Sequence, residues 1–92
     1  MSPFCFKLYI TGSTPRSASA IHNLRQLCEE HLPGQYSIEI IDIAENPEIA
    51  EQERILATPT LVKELPPPLR RLIGDLSEKE KVLVGLDIRV KT

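Results

Sequence analysis

Ala57-Thr58-Pro59-Thr60-Leu61-Val62 is the stretch on which the fold turns, because a threonine–proline bond opens there into an apolar run. Pro59 lacks an amide hydrogen and fixes its own φ, so it precedes a strand rather than joining one, and Thr60 to Leu65 reads as that strand. Upstream, Asn46-Pro47 caps a short helix in which Ile49, Ala50, Glu53 and Leu56 recur at helical spacing. Before it, Tyr36 to Ile43 alternates, with Tyr36, Ile38, Ile40 and Asp42 set against Ile41 and Ile43. Thr14-Pro15 opens a longer helix, since threonine caps free amides and proline is tolerated at the first helical position. Its apolar stripe is Ile21, Leu24, Leu27, Cys28 and Leu32, and Pro33-Gly34 stops it. Phe4 to Thr11 reads as a largely buried strand ended by Gly12. Strand–helix–strand at these lengths predicts a parallel pair joined by a right-handed crossover.

Downstream of Leu65 the sequence tolerates two structures. Pro66-Pro67-Pro68 cannot enter a ladder and sets an extended connection. Leu69 to Leu76 reads as a last strand, and Ser77-Glu78-Lys79-Glu80 as a capping box opening a helix through Leu86. Leu69, Leu72 and Ile73 would equally share a helical face, and Val82-Leu83-Val84 would equally make a strand, with Gly85 beside it weakening the helix.

The 92 residues form one small α/β domain, 1–92, which buries about two-thirds of its unfolded surface. A net charge of -2 disfavours nucleic acid as main partner. No apolar run spans a bilayer and no signal-peptide pattern opens the chain, so a cytoplasmic protein without membrane association is expected. Cys5 and Cys28 lie at core-facing positions of the first strand and first helix and read as small buried hydrophobes. His22 and His31 read as surface helix residues; no metal and no cofactor are expected.

The strand–helix–strand–helix order with Thr58-Pro59 at the mouth of the third strand resembles the thioredoxin fold, which implies that this proline is cis. A thioredoxin carries Cys-x-x-Cys after its first strand, whereas Gly12-Ser13-Thr14-Pro15-Arg16-Ser17 stands there. The scaffold is present without the thiol chemistry.

The chain also resembles the KaiB family, small partners of the KaiC ATPase in the cyanobacterial circadian clock. The matching segments are Lys7-Leu8-Tyr9-Ile10, Gly12, Thr14-Pro15, Ile41-Asp42, Asn46-Pro47 and Ile55-Leu56-Ala57-Thr58-Pro59-Thr60-Leu61. They continue as Leu65-Pro66, Arg70-Arg71, Ile73-Gly74-Asp75-Leu76-Ser77, Glu80-Lys81-Val82-Leu83 and Gly85-Leu86-Asp87. The resemblance implies a metamorphic, non-enzymatic clock regulator. Its thioredoxin-like βαβαββα monomer binds a KaiC-type hexameric ATPase and modulates its phosphorylation and ATPase cycle. Its ground state is ordered βαββααβ and is a homotetramer or dimer. KaiA or a clock histidine kinase are the further partners implied.

By position in that resemblance, Gly85, Leu86 and Asp87 form the fold-switch segment. Glycine in a continuous helix costs about 1 kcal/mol relative to alanine, and an acid beside a helix C-terminus opposes its dipole. The alternative for Gly85 is a helix C-cap with Asp87 as a surface acid. Pro59, Pro66, Pro67 and Pro68 are candidate isomerisation sites, or else fixed turn residues. Arg54, Lys63 and Arg71 match the KaiC-facing basic positions, or else lie on a solvated face. Ser19, His22, Glu39 and Glu45 stand where clock-type members carry several basic residues, and the sequence stops at Thr92 without their acidic tail. The first departure alters contacts to an acidic partner and argues against a standard oscillator with KaiA; the shorter end leads to the expectation that this member rests mainly in the thioredoxin-like state. The rival readings are a thiol-dependent or glutathione-binding module and a KaiB-like sensor domain of a signalling kinase.

Overall fold

The computed structural model describes residues 3–88, so the two ends of the expected 1–92 domain, Thr92 included, lie outside it. The elements run β1 (Phe4–Ile10), α1 (Pro15–His31), β2 (Tyr36–Asp42), α2 (Pro47–Gln52), β3 (Thr60–Leu65), β4 (Arg70–Ile73) and α3 (Lys79–Gly85). This is the βαβαββα order. The four-stranded sheet is ordered β2-β1-β3-β4, with β2 parallel to β1 and the other neighbours antiparallel. The Thr58-Pro59 bond is cis, as are Leu65-Pro66 and Pro67-Pro68.

Strand alternation divides the core. Phe6, Leu8 and Leu61 point to one face and are covered by Ala20, Leu24, Leu27 and Cys28 of α1 with Val82 and Leu86 around α3. Tyr9, Ile41 and Val62 point to the other, where Ile55 and the α2 residues Ile49 and Ala50 form a smaller cluster. Burying each large apolar side chain contributes about 1.5–3 kcal/mol. Asp42 joins the upper ends of the strands: its Oδ1 accepts the Gly12 amide at 3.1 Å and the Ala44 amide at 2.9 Å. Thr11 and Thr58 hydroxyls meet at 2.7 Å, so the Gly12 turn lies beside the Thr58-Pro59 bond.

The two-way reading after Leu65 resolves to strand and then helix. Leu72 lies opposite Leu61 and turns inward, while Ile73 is exposed, which is strand alternation and not a shared helical face. The last strand is shorter than Leu69–Leu76, because Gly74 at φ 129° and Leu76 at φ 64° break its extended path. Ser77 does not cap α3. Its amide donates to Asp75 Oδ1 at 3.1 Å, which holds this segment in a turn, and the helix starts after Glu78 with no side-chain cap. Likewise Asn46 makes no side-chain cap; its Nδ2 donates to the Asp42 carbonyl at 3.2 Å. The second helix ends at Gln52, so Leu56 leaves the apolar stripe and is 94% exposed.

Two contacts tie α1 to the segment around α3. Asn23 Nδ2 donates to the Asp75 carbonyl at 2.8 Å, and Lys79 Nζ meets Glu30 Oε2 at 2.5 Å.

Candidate docking surface and switch segment

Both helices next to the residues singled out by sequence end in the same way. In α2 the Arg54 amide donates to the Glu51 carbonyl and the Ile55 amide to the Ala50 carbonyl, with Arg54 at φ 54°. In α3 the Asp87 amide donates to the Val84 carbonyl and the Ile88 amide to the Leu83 carbonyl, with Asp87 at φ 55°. Each is a Schellman ending, which satisfies otherwise orphaned carbonyls and usually uses glycine at the left-handed position. Here an arginine and an aspartate occupy it, and buried Ile55 and Ile88 anchor the chain that follows.

Arg71, on β4, closes the α2 ending from across the sheet. Its Nη2 donates to the Glu53 carbonyl at 2.6 Å and its Nη1 to the Arg54 carbonyl at 3.4 Å. A cation on C-terminal carbonyls is favoured by the helix dipole as well as by the hydrogen bonds. The structure therefore brings Arg54 and Arg71 together. Beside them Leu56 and Ile73, 94% and 68% exposed, border an apolar groove of about 350 Å³. Large exposed apolar side chains next to fixed cations make a surface suited to docking protein. Sequence spacing did not single out Leu56 or Ile73 for this surface; Leu56 lies beyond the end of α2, and Ile73 is the last residue of β4.

Lys63 is placed apart from that pair. It is 1% exposed, on the same sheet face as Leu61 and opposite Phe6, so the solvated-face reading is corrected. Burial lowers its pKa, with Asp87 favouring the charged form and Arg70 opposing it. In this conformation its side chain is part of the packing below the end of α3. The signal was legible: in a strand, Lys63 shares a face with Leu61.

The segment Gly85-Leu86-Asp87 is built differently from the sequence reading. Gly85 is the last residue of α3 and not a left-handed cap. A Cβ there would stand 2.6 Å from Leu72 Cδ2, so glycine lets α3 approach β4 closely. Leu86 is fully buried. Leu72 is half-buried and borders grooves on both sides of β4, so its tip has room to turn away. Gly85→Ala is therefore expected to stabilise this arrangement, by up to about 1 kcal/mol from helix propensity. Urea unfolding of Gly85→Ala, alone and with Leu72→Ala, measures it; a net loss in the single variant that the double variant recovers would mean that Leu72 cannot move.

A KaiB domain model matches residues 7–88. The chain belongs to the KaiB family. Among curated relatives, circadian clock protein KaiB3 of Synechocystis is 56% identical over 88 residues, covering 96% of this chain and 86% of that protein. Circadian clock oscillator protein KaiB of Microcystis aeruginosa is 52% identical over 85 residues, covering 92% and 82%. Among solved structures, the N-terminal domain of Synechococcus elongatus SasA aligns with TM-score 0.76 at 22% identity, over 100% of this chain and 90% of that one. Mitochondrial thioredoxin 3 of Saccharomyces cerevisiae aligns with TM-score 0.72 at 17% identity, over 95% and 79%. These structural likenesses show a thioredoxin-like fold.

Within this KaiB-family chain Pro59 is buried at the entry to β3, and Pro66, Pro67 and Pro68 are exposed between β3 and β4. Cys28 is fully buried in α1, and burial, helped by the charge of Glu29, pushes its thiol up to about 12. Cys5 is half-buried in β1, on the opposite sheet face from Phe6 and not in the main core. Neither cysteine is in the Gly12–Ser17 turn. His22 is exposed, whereas His31 is half-buried with Nε2 3.2 Å from Glu30, which corrects its surface reading. Among the described residues no cluster of three or more His, Cys, Asp or Glu could hold a metal, and no helix is long and apolar enough to cross a membrane. Ser19, Glu39 and Glu45 are exposed.

Proposed function

We propose that this chain is a clock-type regulatory protein that binds a KaiC-type hexameric ATPase in its thioredoxin-like state and modulates the phosphorylation and ATPase cycle of that ring. The observation that carries the reading is the βαβαββα order in a KaiB-family chain, the arrangement that the family resemblance associates with ring binding. The relatives' names supply the clock context. Arg54 and Arg71, with Leu56 and Ile73 beside them, are the docking surface in this reading; Lys63, buried on the opposite sheet face, is not part of it. Gly85, Leu86 and Asp87 set the balance against a βαββααβ ground state of higher oligomeric order. Pro59 and Pro66 to Pro68 border the segment that would rearrange. A KaiA-like protein or a clock histidine kinase would compete for or join the same assembly.

Binding selects the competent conformation, so the apparent dissociation constant is the intrinsic one divided by the competent fraction. A chain resident in the thioredoxin-like state is expected to co-elute with the KaiC homologue of its organism within minutes of mixing, in a manner that depends on ATP or ADP. A rise over hours would place the resting chain in the ground state instead. Absence of co-elution with either nucleotide would remove the ring from the assignment. A thiol-dependent role has less support, because a buried Cys28 thiol pushed up to about 12 is not a thiolate near neutral pH.

A further inference from the structure

Strand β4 ends the sheet, and among the described residues no strand pairs with its outer edge. The register sets Ile73 opposite Thr60 and Leu72 opposite Leu61, and the Gly74 amide continues it with a 3.0 Å hydrogen bond to the Pro59 carbonyl. Hydrogen-bonding residues alternate along an antiparallel pair. Gly74, Leu72 and Arg70 thus turn their backbone polar groups toward β3, and Arg71 and Ile73 turn theirs outward. A groove flanks each face of this strand. The α2-side groove, about 350 Å³, lies among Leu56, Ile73, Arg54 and Arg71. The α3-side groove, about 330 Å³, lies along Leu72, Leu76 and Val82. Both share Leu72 and Ile73, so they belong to the β4 edge and not to the β2 edge.

We propose that the β4 edge is a docking strand for an extended acidic–apolar segment of a protein partner, paired through the outward backbone groups of Arg71 and Ile73. A strand added there sends alternate side chains into the two grooves, which is how strand addition combines backbone affinity with side-chain selectivity. On the α2 side an apolar residue covers Leu56 and Ile73, and an acidic residue two positions away faces Arg54 and Arg71. These cations outweigh the neighbouring Glu53, while Glu64 is already held by Lys7 at 3.4 Å. A second copy of the chain fits worse, because antiparallel β4–β4 pairing sets the Arg70-Arg71 rows against each other, and like charges across a pair destabilise it. The inference rests on reading this corner as a protein-docking surface, and it does not depend on which protein docks.

The test is an NMR titration of the isotope-labelled chain with the end-capped peptide Gly-Asp-Val-Leu-Val-Asp-Gly, whose symmetry suits either strand direction. Saturable shifts centred on the Arg71 and Ile73 amides are expected, with slowed hydrogen exchange at both. A peptide with lysine for both aspartates should bind at least about tenfold more weakly, as should the Ile73→Lys variant, whose exposed site leaves the fold intact. Of two N-methylated peptides, one blocked at leucine and one at both valines, only one should bind, since the strand turns alternate amides inward. Shifts centred on Tyr36–Asp42, no saturation at millimolar peptide, or equal binding by both blocked peptides would each overturn the proposal. Self-association of the chain abolished by Ile73→Lys would overturn it in favour of a second copy. Failed peptide binding with co-elution intact overturns the edge alone; peptide binding without co-elution upholds the edge and removes the ring.

Discussion

Raising the pH from 8 to 12 is expected to cost this fold about 3.5 kcal/mol through a single side chain, Cys28. The thiol is fully buried against the sheet, and its pKa rises from 9.0 to about 12, chiefly by burial and secondarily by the charge of Glu29. A raised folded-state pKa means that the contribution is complete below pH 9 and is lost as the pH climbs through 12, because the unfolded thiol ionises first. At about 1.4 kcal/mol per unit, roughly 3 kcal/mol is gone by pH 11. Tyr9, raised mainly by burial, acts in the same direction above 10, whereas lowered Lys63 acts in the opposite one as the pH climbs toward 10.5. Both terms are common to a Cys28→Ala variant and cancel in the comparison. Urea unfolding at pH 8 and pH 11 should show the native chain losing roughly 3 kcal/mol more than Cys28→Ala. Equal losses would mean that the thiol is hydrated or that its helix opens locally.

Leu86→Ala is expected to destabilise the thioredoxin-like arrangement by about 3 kcal/mol, within the range for buried leucine truncations. Leu86 has no exposed surface and packs in the α1–α3 layer with Val82 and Ile88. It is also the residue just before the left-handed Asp87, so loss of its side chain loosens the Schellman ending. Such a cost is a large fraction of the roughly 5–15 kcal/mol of a small domain. Val84→Ala, on the same helix but 81% exposed, should change stability by less than about 0.5 kcal/mol. Chemical denaturation of the pair measures the contrast. Similar midpoints for both would mean that α3 is not docked on the sheet in solution.

The parts of this fold legible in sequence are those with local causes. Thr14 caps α1 through its hydroxyl, at 3.1 Å from the Ser17 amide, as the Thr-Pro pair foretold. The alternation of Tyr36 to Asp42 survives intact in the register with β1. Where the sequence reading failed, a nonlocal or competing contact decided. Ser77 was available as a cap, but the Asp75 carboxylate took its amide first. Leu56 had helical spacing, but the chain had already left α2 at Arg54. The stretch from Leu69 to Val84 gave two readings because its apolar residues suit either period, and pairing with β3 selected one.

The candidate site divides along the same line. The sequence by itself determined the strand behind Thr58-Pro59, the missing thiol pair and the family to which the chain belongs, since capping, proline geometry and motif order act between near neighbours. Only the tertiary structure placed Arg71 on the carbonyls of Glu53 and Arg54 and set Leu72 against Gly85. Those outcomes depend on which strand lies beside which and in what register. The free energy of that choice comes from apolar surfaces distant in sequence, which no local pattern encodes.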